Sequence, residues 1–169
     1  FYVDKATYPN GFNLTDLRFQ GQNGQNPVIE IYDGSRSIST ASLIQKVNYD
    51  HWAYNYPITL KEQIHFAPGS SFWVVAKFPA GAKNPLGTGK TTRTDVAQYS
   101  FYSSDNGTTW TQLSEVLKGT SFEAIASQLT WAVQAISKNP DWSQVLNPEP
   151  ISGEVRPNES QKVTLKNDG

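Results

Sequence analysis

A chain of 169 residues with 37% hydrophobic and 12% aromatic content carries enough apolar side chain for one well-buried core, which excludes a disordered segment and leaves too little length for two full-sized domains. Its formal net charge of -1, from 14 basic and 15 acidic residues, comes without any long run of one sign, so no basic stripe for nucleic acid exists. No apolar run is long enough to span a bilayer and no basic amphipathic helix occurs, which argues against membrane insertion, and the absence of cysteine removes disulfides, thiolate metal sites and cysteine nucleophiles together.

The chain starts at Phe1 with no charged and apolar leader and reads as a mature fragment. Its first expected strands are Leu14 to Phe19, Val28 to Tyr32 and Ser42 to Val47, separated by Gly21 through Asn26 and by Asp33-Gly34. Tyr56 to Phe66 follows with plain period two: Tyr56, Ile58, Leu60, Ile64 and Phe66 share one face, and Thr59, Lys61, Gln63 and His65 the other. Pro68-Gly69 turns the chain into Phe72 to Phe78, a nearly continuous apolar run that suits a central strand covered on both faces. Pro79 to Arg93 reads as a long surface loop. Strands are then expected at Val96 to Ser103 and Trp110 to Leu113, with Asn106-Gly107 as the turn between them.

One helix is expected, over Ser121 to Gln128, because Thr120 and Glu123 have the spacing of a capping box and Phe122, Ile125 and Leu129 recur at helical intervals. Leu129 to Ile136 closes the series, with Leu129, Trp131, Val133 and Ala135 alternating inward. About eight strands joined by hairpin-length links imply an all-β domain of two packed antiparallel sheets, a β-sandwich with little helix. From Asn147 the pattern changes to a proline-punctuated polar stretch, followed by one isolated strand at Gln161 to Leu165. The expected division is therefore 1–146 for the domain and 147–169 for a linker and the opening strand of a following module.

Ser103-Ser104-Asp105-Asn106-Gly107-Thr108-Thr109-Trp110 is the sharpest local motif. It resembles the Asp-box of sialidases and related proteins at Ser103, Asp105, Gly107 and Trp110, and its physical content is a hairpin. Asp105 can accept backbone N–H bonds, Gly107 can supply positive φ, and Trp110 returns to the core. Sialidase propellers repeat this hairpin over several blades, whereas one copy stands here, so the resemblance implies a folding device rather than a catalytic site.

Chemistry-bearing residues are sparse. Gly87-Thr-Gly-Lys-Thr-Thr92 lacks the leading glycine of a phosphate loop, that position being Asn84. His51 and His65 have no metal-ligand partner at close spacing, and no nucleophile elbow occurs. Asp4, Asp16, Asp33, Asp50 and Asp95 lie near turns where calcium could gather carboxylates, yet no run has the spacing of a calcium loop. Acceptor sequons stand at Asn13, Asn106 and Asn158. No cofactor and no pair of carboxylates for glycoside hydrolysis can be nominated, and the chain itself is not expected to be an enzyme.

Tyr49, His51, Trp52, Tyr54 and Tyr56 cluster at the start of the strongest strand. Trp52, Tyr54 and Tyr56 are the candidate ligand-binding residues, since exposed rings stack on sugar faces or anchor protein partners; the alternative is that they cover the edge of the core.

A broader likeness rests on Tyr56-Pro-Ile-Thr-Leu60, on Phe66-Ala-Pro-Gly-Ser-Ser-Phe-Trp-Val-Val-Ala-Lys77 and on the Tyr99 to Trp110 hairpin. Over Ile29 to Ile136 the chain resembles the lectin-like, jelly-roll β-sandwich appended to bacterial secreted proteases. Trp131 to Ser137 and Pro140-Asp-Trp-Ser143 resemble the region downstream of subtilisin-like catalytic domains in exported proteins of Bacteroidetes. Pro150 to Val155 and Gln161 to Leu165 are similar to the start of an immunoglobulin-like module. The resemblance implies a non-catalytic accessory module of a secreted or cell-surface protein, whose partners are the neighbouring domains of its parent chain and, in the alternative, a surface glycan or glycoprotein.

Overall fold

The computed structural model describes residues 1–20, 26–34, 37–48, 57–82, 86–92 and 98–138, together with the strands Asn147–Glu149 and Thr164–Lys166. The chain divides into two compact units, Phe1–Ser137 and Lys138–Gly169. The first is all-β in class, built from antiparallel pairs, as the short β-branched and aromatic segments predict.

Two three-stranded sheets dominate it. In the first, β1 (Phe12–Phe19) lies between β4 (Pro57–Phe66) and β10 (Val133–Ile136). In the second, β2 (Val28–Asp33) lies between β3 (Leu43–Asn48) and β5 (Phe72–Lys77). Leu14, Leu17, Phe19, Ile58, Leu60 and Phe66 of the first sheet and Ile29, Ile31 and Phe72 of the second belong to one buried core cluster.

The core face of β1 explains its sequence. Phe12 and Leu14 point inward in one phase and Leu17 and Phe19 in the other, and the register against β4 shifts between Leu14 and Asp16 to absorb the change. A bulge of this kind flips the alternation once without breaking the strand. Along β4, Ile58, Leu60 and Phe66 are buried while Thr59, Lys61, Gln63 and His65 are exposed. The core of one end is an aromatic stack in which Phe72 faces Phe66 at 4.2 Å and Phe1 at 5.0 Å.

Several sequence expectations are corrected. Among the described strands β2, and not β5, is the central strand of its sheet, and beyond β2 the backbone of β5 is bonded at its start, where Phe1 and Phe72 exchange N–H···O bonds of 2.9 and 3.0 Å. Its outward face is nonetheless covered, because Val75 is buried and Trp73 meets Phe101 edge-on at 5.7 Å. The 79–93 loop contains a strand, β6 (Thr88–Lys90), paired with β9 (Leu129–Trp131). The alternating run 129–136 is two strands, because the Ala132 N–H and C=O turn aside to Gly87 O and Gln20 N.

The expected helix over Ser121 to Gln128 is a 3-10 segment, Glu123–Gln128, with Phe122 exposed and Ala126 its buried residue. The polar pair closes its start in altered form: Thr120 Oγ1 accepts from Phe122 N–H, and the Glu123 carboxylate accepts from Gly119 N–H. Among the described residues the α-helix is one short turn, α1 (Leu113–Val116), which buries Leu113. The strand expected alone near the C-terminus is β12 (Thr164–Lys166), antiparallel to β11 (Asn147–Glu149).

Candidate functional site

The residues Trp52, Tyr54 and Tyr56, with His51, Asp50, Asp95 and Asn158, lie outside the described residues. The hairpin from Ser103 to Trp110 lies within them. β7 (Phe101–Tyr102) and β8 (Thr111–Gln112) form its antiparallel legs.

Its turn is held by one carboxylate. Asp105 Oδ1 accepts from the Thr109 N–H at 2.9 Å and from the Ser103 hydroxyl at 2.7 Å, and Oδ2 accepts from the Thr109 hydroxyl at 2.6 Å. Ser103 Oγ in turn accepts from the Gly107 N–H at 2.8 Å. Those bonds, led by the Thr109 hydroxyl and backbone, hold the Asp105 carboxyl down at about 2, because each donor favours the ionised form.

Asn106 and Gly107 both take positive φ, 58° and 87°, the pair of left-handed positions that an Asn-Gly dipeptide supplies most cheaply. A side chain at Gly107 would meet the Trp110 ring at 3.5 Å. Trp110 is half-buried, not a core residue as the sequence reading expects: the ring lies over the turn and is absent from the core cluster. The geometry is that of a rigid turn whose acidic group is consumed in holding it.

Other polar groups raised by the sequence are similarly engaged. Asp4 Oδ1 accepts from the Ala6 and Thr7 N–H groups and the Thr7 hydroxyl. Asp33 Oδ1 accepts from the Ser42 N–H at 2.9 Å. Asp16 is fully buried and accepts from the hydroxyls of Thr15 and Thr59, both at 2.7 Å. His65 Nδ1 bonds Asn13 Oδ1 at 2.7 Å. Among the described residues no group of three or more His, Asp or Glu side chains is placed to hold a metal ion.

Two features escape a reading of the sequence. Glu30, on the outward side of β2, is buried, with Lys77 Nζ at 2.8 Å and the Tyr32 hydroxyl bonded to the same carboxylate oxygen. Burial raises the Glu30 carboxyl, but the bonds from Lys77 and Tyr32 and the charges of Lys77 and Lys46 outweigh it and leave it below 4.5. Burial, then the bond to Glu30 and its charge, push Tyr32 up to about 12.

The second feature is Arg18. Gln134 of β10 and Pro57 of β4 flank it in register. Its Nε–H is buried without a hydrogen-bond partner, a state that costs about 1–3 kcal/mol for a neutral group and more for a charged one. Arg18 lines a shallow cleft of about 220 Å³ with Gln20, Gly89, Thr130, Trp131 and Gln134 among its walls. The signal available beforehand was slight: Asp16 and Arg18 stand two apart in a strand whose other positions are largely apolar.

Comparison with protein families, curated proteins and solved structures finds no match to this chain.

Proposed function

We propose that this chain is a non-catalytic accessory module of a secreted or cell-surface bacterial protein, placed C-terminal to a subtilisin-like protease and serving to space or orient its neighbours. On this reading the two three-stranded sheets are the facing layers of a lectin-like sandwich. The neighbouring domains of the parent chain are its partners.

The observation that carries the reading is how the carboxylates are used. Asp4, Asp33 and Asp105 each accept backbone N–H bonds that shape a turn or strand end, and Glu30 is tied to Lys77 and Tyr32. Groups that could carry acid–base chemistry are spent on rigidity, which suits a spacer. The chain continues into a second compact unit from Lys138, as a module within a string of modules does.

The test is exchange. Replacing residues 1–137 in the full-length protein by an unrelated inert domain of similar size should impair surface retention or substrate processing while an isolated catalytic domain keeps its turnover. Unaltered retention and processing after the exchange would refute the proposal, as would turnover of peptide or glycoside by the purified chain alone.

A further inference from the structure

We propose that the cleft beside Arg18 binds a small acidic sugar, a pyranose carrying one carboxylate, with Arg18 taking the carboxylate. The inference is independent of the accessory reading.

Arg18 is placed as a receptor and not as a strut. Its buried Nε–H has no partner, and Arg18 takes part in none of the ion pairs among the described residues. Asp16, two residues earlier in β1, accepts from Thr15 and Thr59. Arg18 lines the cleft, and a guanidinium offers parallel N–H groups that fit the two oxygens of a carboxylate.

The rest of the lining selects the class of anion. Gln134 stands directly opposite Arg18 in the ladder, Gln20 follows two residues on in the chain, and Thr130 completes the polar wall. Amides and hydroxyls both donate and accept, which matches sugar hydroxyls and wastes half its capacity on a phosphate or sulfate. The described lining holds Arg18 as its one cation, which suits a single negative charge.

Trp131 supplies the apolar surface. It is among the lining residues and its indole N–H is already given to Phe101 O at 2.7 Å, so the ring surface it can offer a ligand is carbon, the kind on which the C–H face of a pyranose packs. The volume of about 220 Å³ falls below the range of about 300–1,000 Å³ that takes drug-sized ligands, and accommodates one ring.

The test uses the whole chain with three probes: sodium glucuronate, glucose and sodium acetate. Amide and side-chain NMR shifts at Arg18 Nε–H and Trp131 Nε1–H, with calorimetry, read binding. Glucuronate is expected to bind with a dissociation constant in the millimolar range and to move both signals, with glucose and acetate each weaker by about tenfold or more. Arg18→Met should abolish the response and melt no lower than the parent, because it removes an unpaired buried donor. Gln134→Ala, at an exposed position, should weaken glucuronate while leaving the fold intact, and it keeps the test sharp if Arg18→Met fails to fold. No shift with glucuronate, equal binding of acetate or glucose, or full affinity in Gln134→Ala would each overturn the proposal.

Discussion

The indole N–H of Trp131 donates to the backbone carbonyl of Phe101 at 2.7 Å, and the ring of Phe101 meets Trp73 edge-on at 5.7 Å. One residue of the hairpin is thus gripped by its backbone from β9 and by its side chain from β5. Ser100 beside it is buried, accepting at its hydroxyl from the Trp131 N–H and at its carbonyl from the Leu113 N–H. The hairpin is seated by these bonds rather than by a large apolar surface of its own.

Trp131→Phe keeps an aromatic ring and deletes the donor to Phe101. The loss should be about 1–3 kcal/mol, the cost of leaving a shielded carbonyl unpaired, measured by urea unfolding. In a double-mutant cycle, Trp73→Ala with Phe101→Ala should show coupling of about 0.5–1.5 kcal/mol, the range for an edge-on ring pair.

Acid should loosen the Ser103 to Trp110 turn. Asp105 has its carboxyl depressed from 3.8 to about 2, so its contribution is complete above 3.8 and is lost as pH falls toward 2. Thermal melts across that window should show a step that Asp105→Asn flattens. An identical acid profile in parent and variant would show that the turn does not depend on the charge.

Alkali should act at the other sheet. Tyr32 has its hydroxyl raised from 10.0 to about 12, so the bond to Glu30 contributes fully below 10 and is lost as pH rises through 12. Phenolate absorbance should show one of the 8 tyrosines titrating late, and Tyr32→Phe should remove that late phase. Glu30→Ala should cost about 1.5–3 kcal/mol, the worth of hydrogen bonds to a charged group.

Leu17→Ala, at a position with no exposure in the shared core, should destabilise by about 2–5 kcal/mol. Trp110→Ala should cost less than the roughly 3–5 kcal/mol of a fully buried ring, because Trp110 is half-buried. Equal losses in the two variants would place the Trp110 ring deeper than the structure does.

Gly107→Ala forces a Cβ onto a residue with φ of 87° and should cost about 1–2 kcal/mol, the penalty for a side chain in the left-handed region. Gly107→Asn, which tolerates that region better, should recover part of the loss.

The all-β class was legible because period two in β4 and the turn dipeptides are local signals that tertiary structure did not override. The position of β5 was not, since an apolar run reports burial on two faces and is silent on whether hydrogen bonds are made on both edges. Here the second face is covered by Phe101, which is distant in sequence. β6 is not legible in the sequence because Thr88-Gly-Lys90 has no strand-like pattern of its own, and the strand is defined by its pairing with Leu129 to Trp131. The spacing of Phe122, Ile125 and Leu129 suits an α- or a 3-10 helix alike, and the segment formed is 3-10 with Ala126 its buried residue.

The backbone roles of Asp105 and Gly107 in the hairpin are legible because the groups concerned lie within a few positions, whereas the bonds of Ser103 and of the Thr109 hydroxyl are not. Nor are Arg18 and Glu30. Each acquires its meaning from a residue on another strand, Gln134 in one case and Lys77 in the other, and a single sequence does not record that adjacency.

Because β10 is the last strand before Lys138, tension applied through the following segment enters the first unit at Ile136, the residue paired with Asp16. Load would first strain the few rungs joining β10 to β1, which end at Phe19 and Val133. The same strand carries Gln134 opposite Arg18, so mechanical peeling of β10 would dismantle the cleft before it reached the aromatic stack around Phe72.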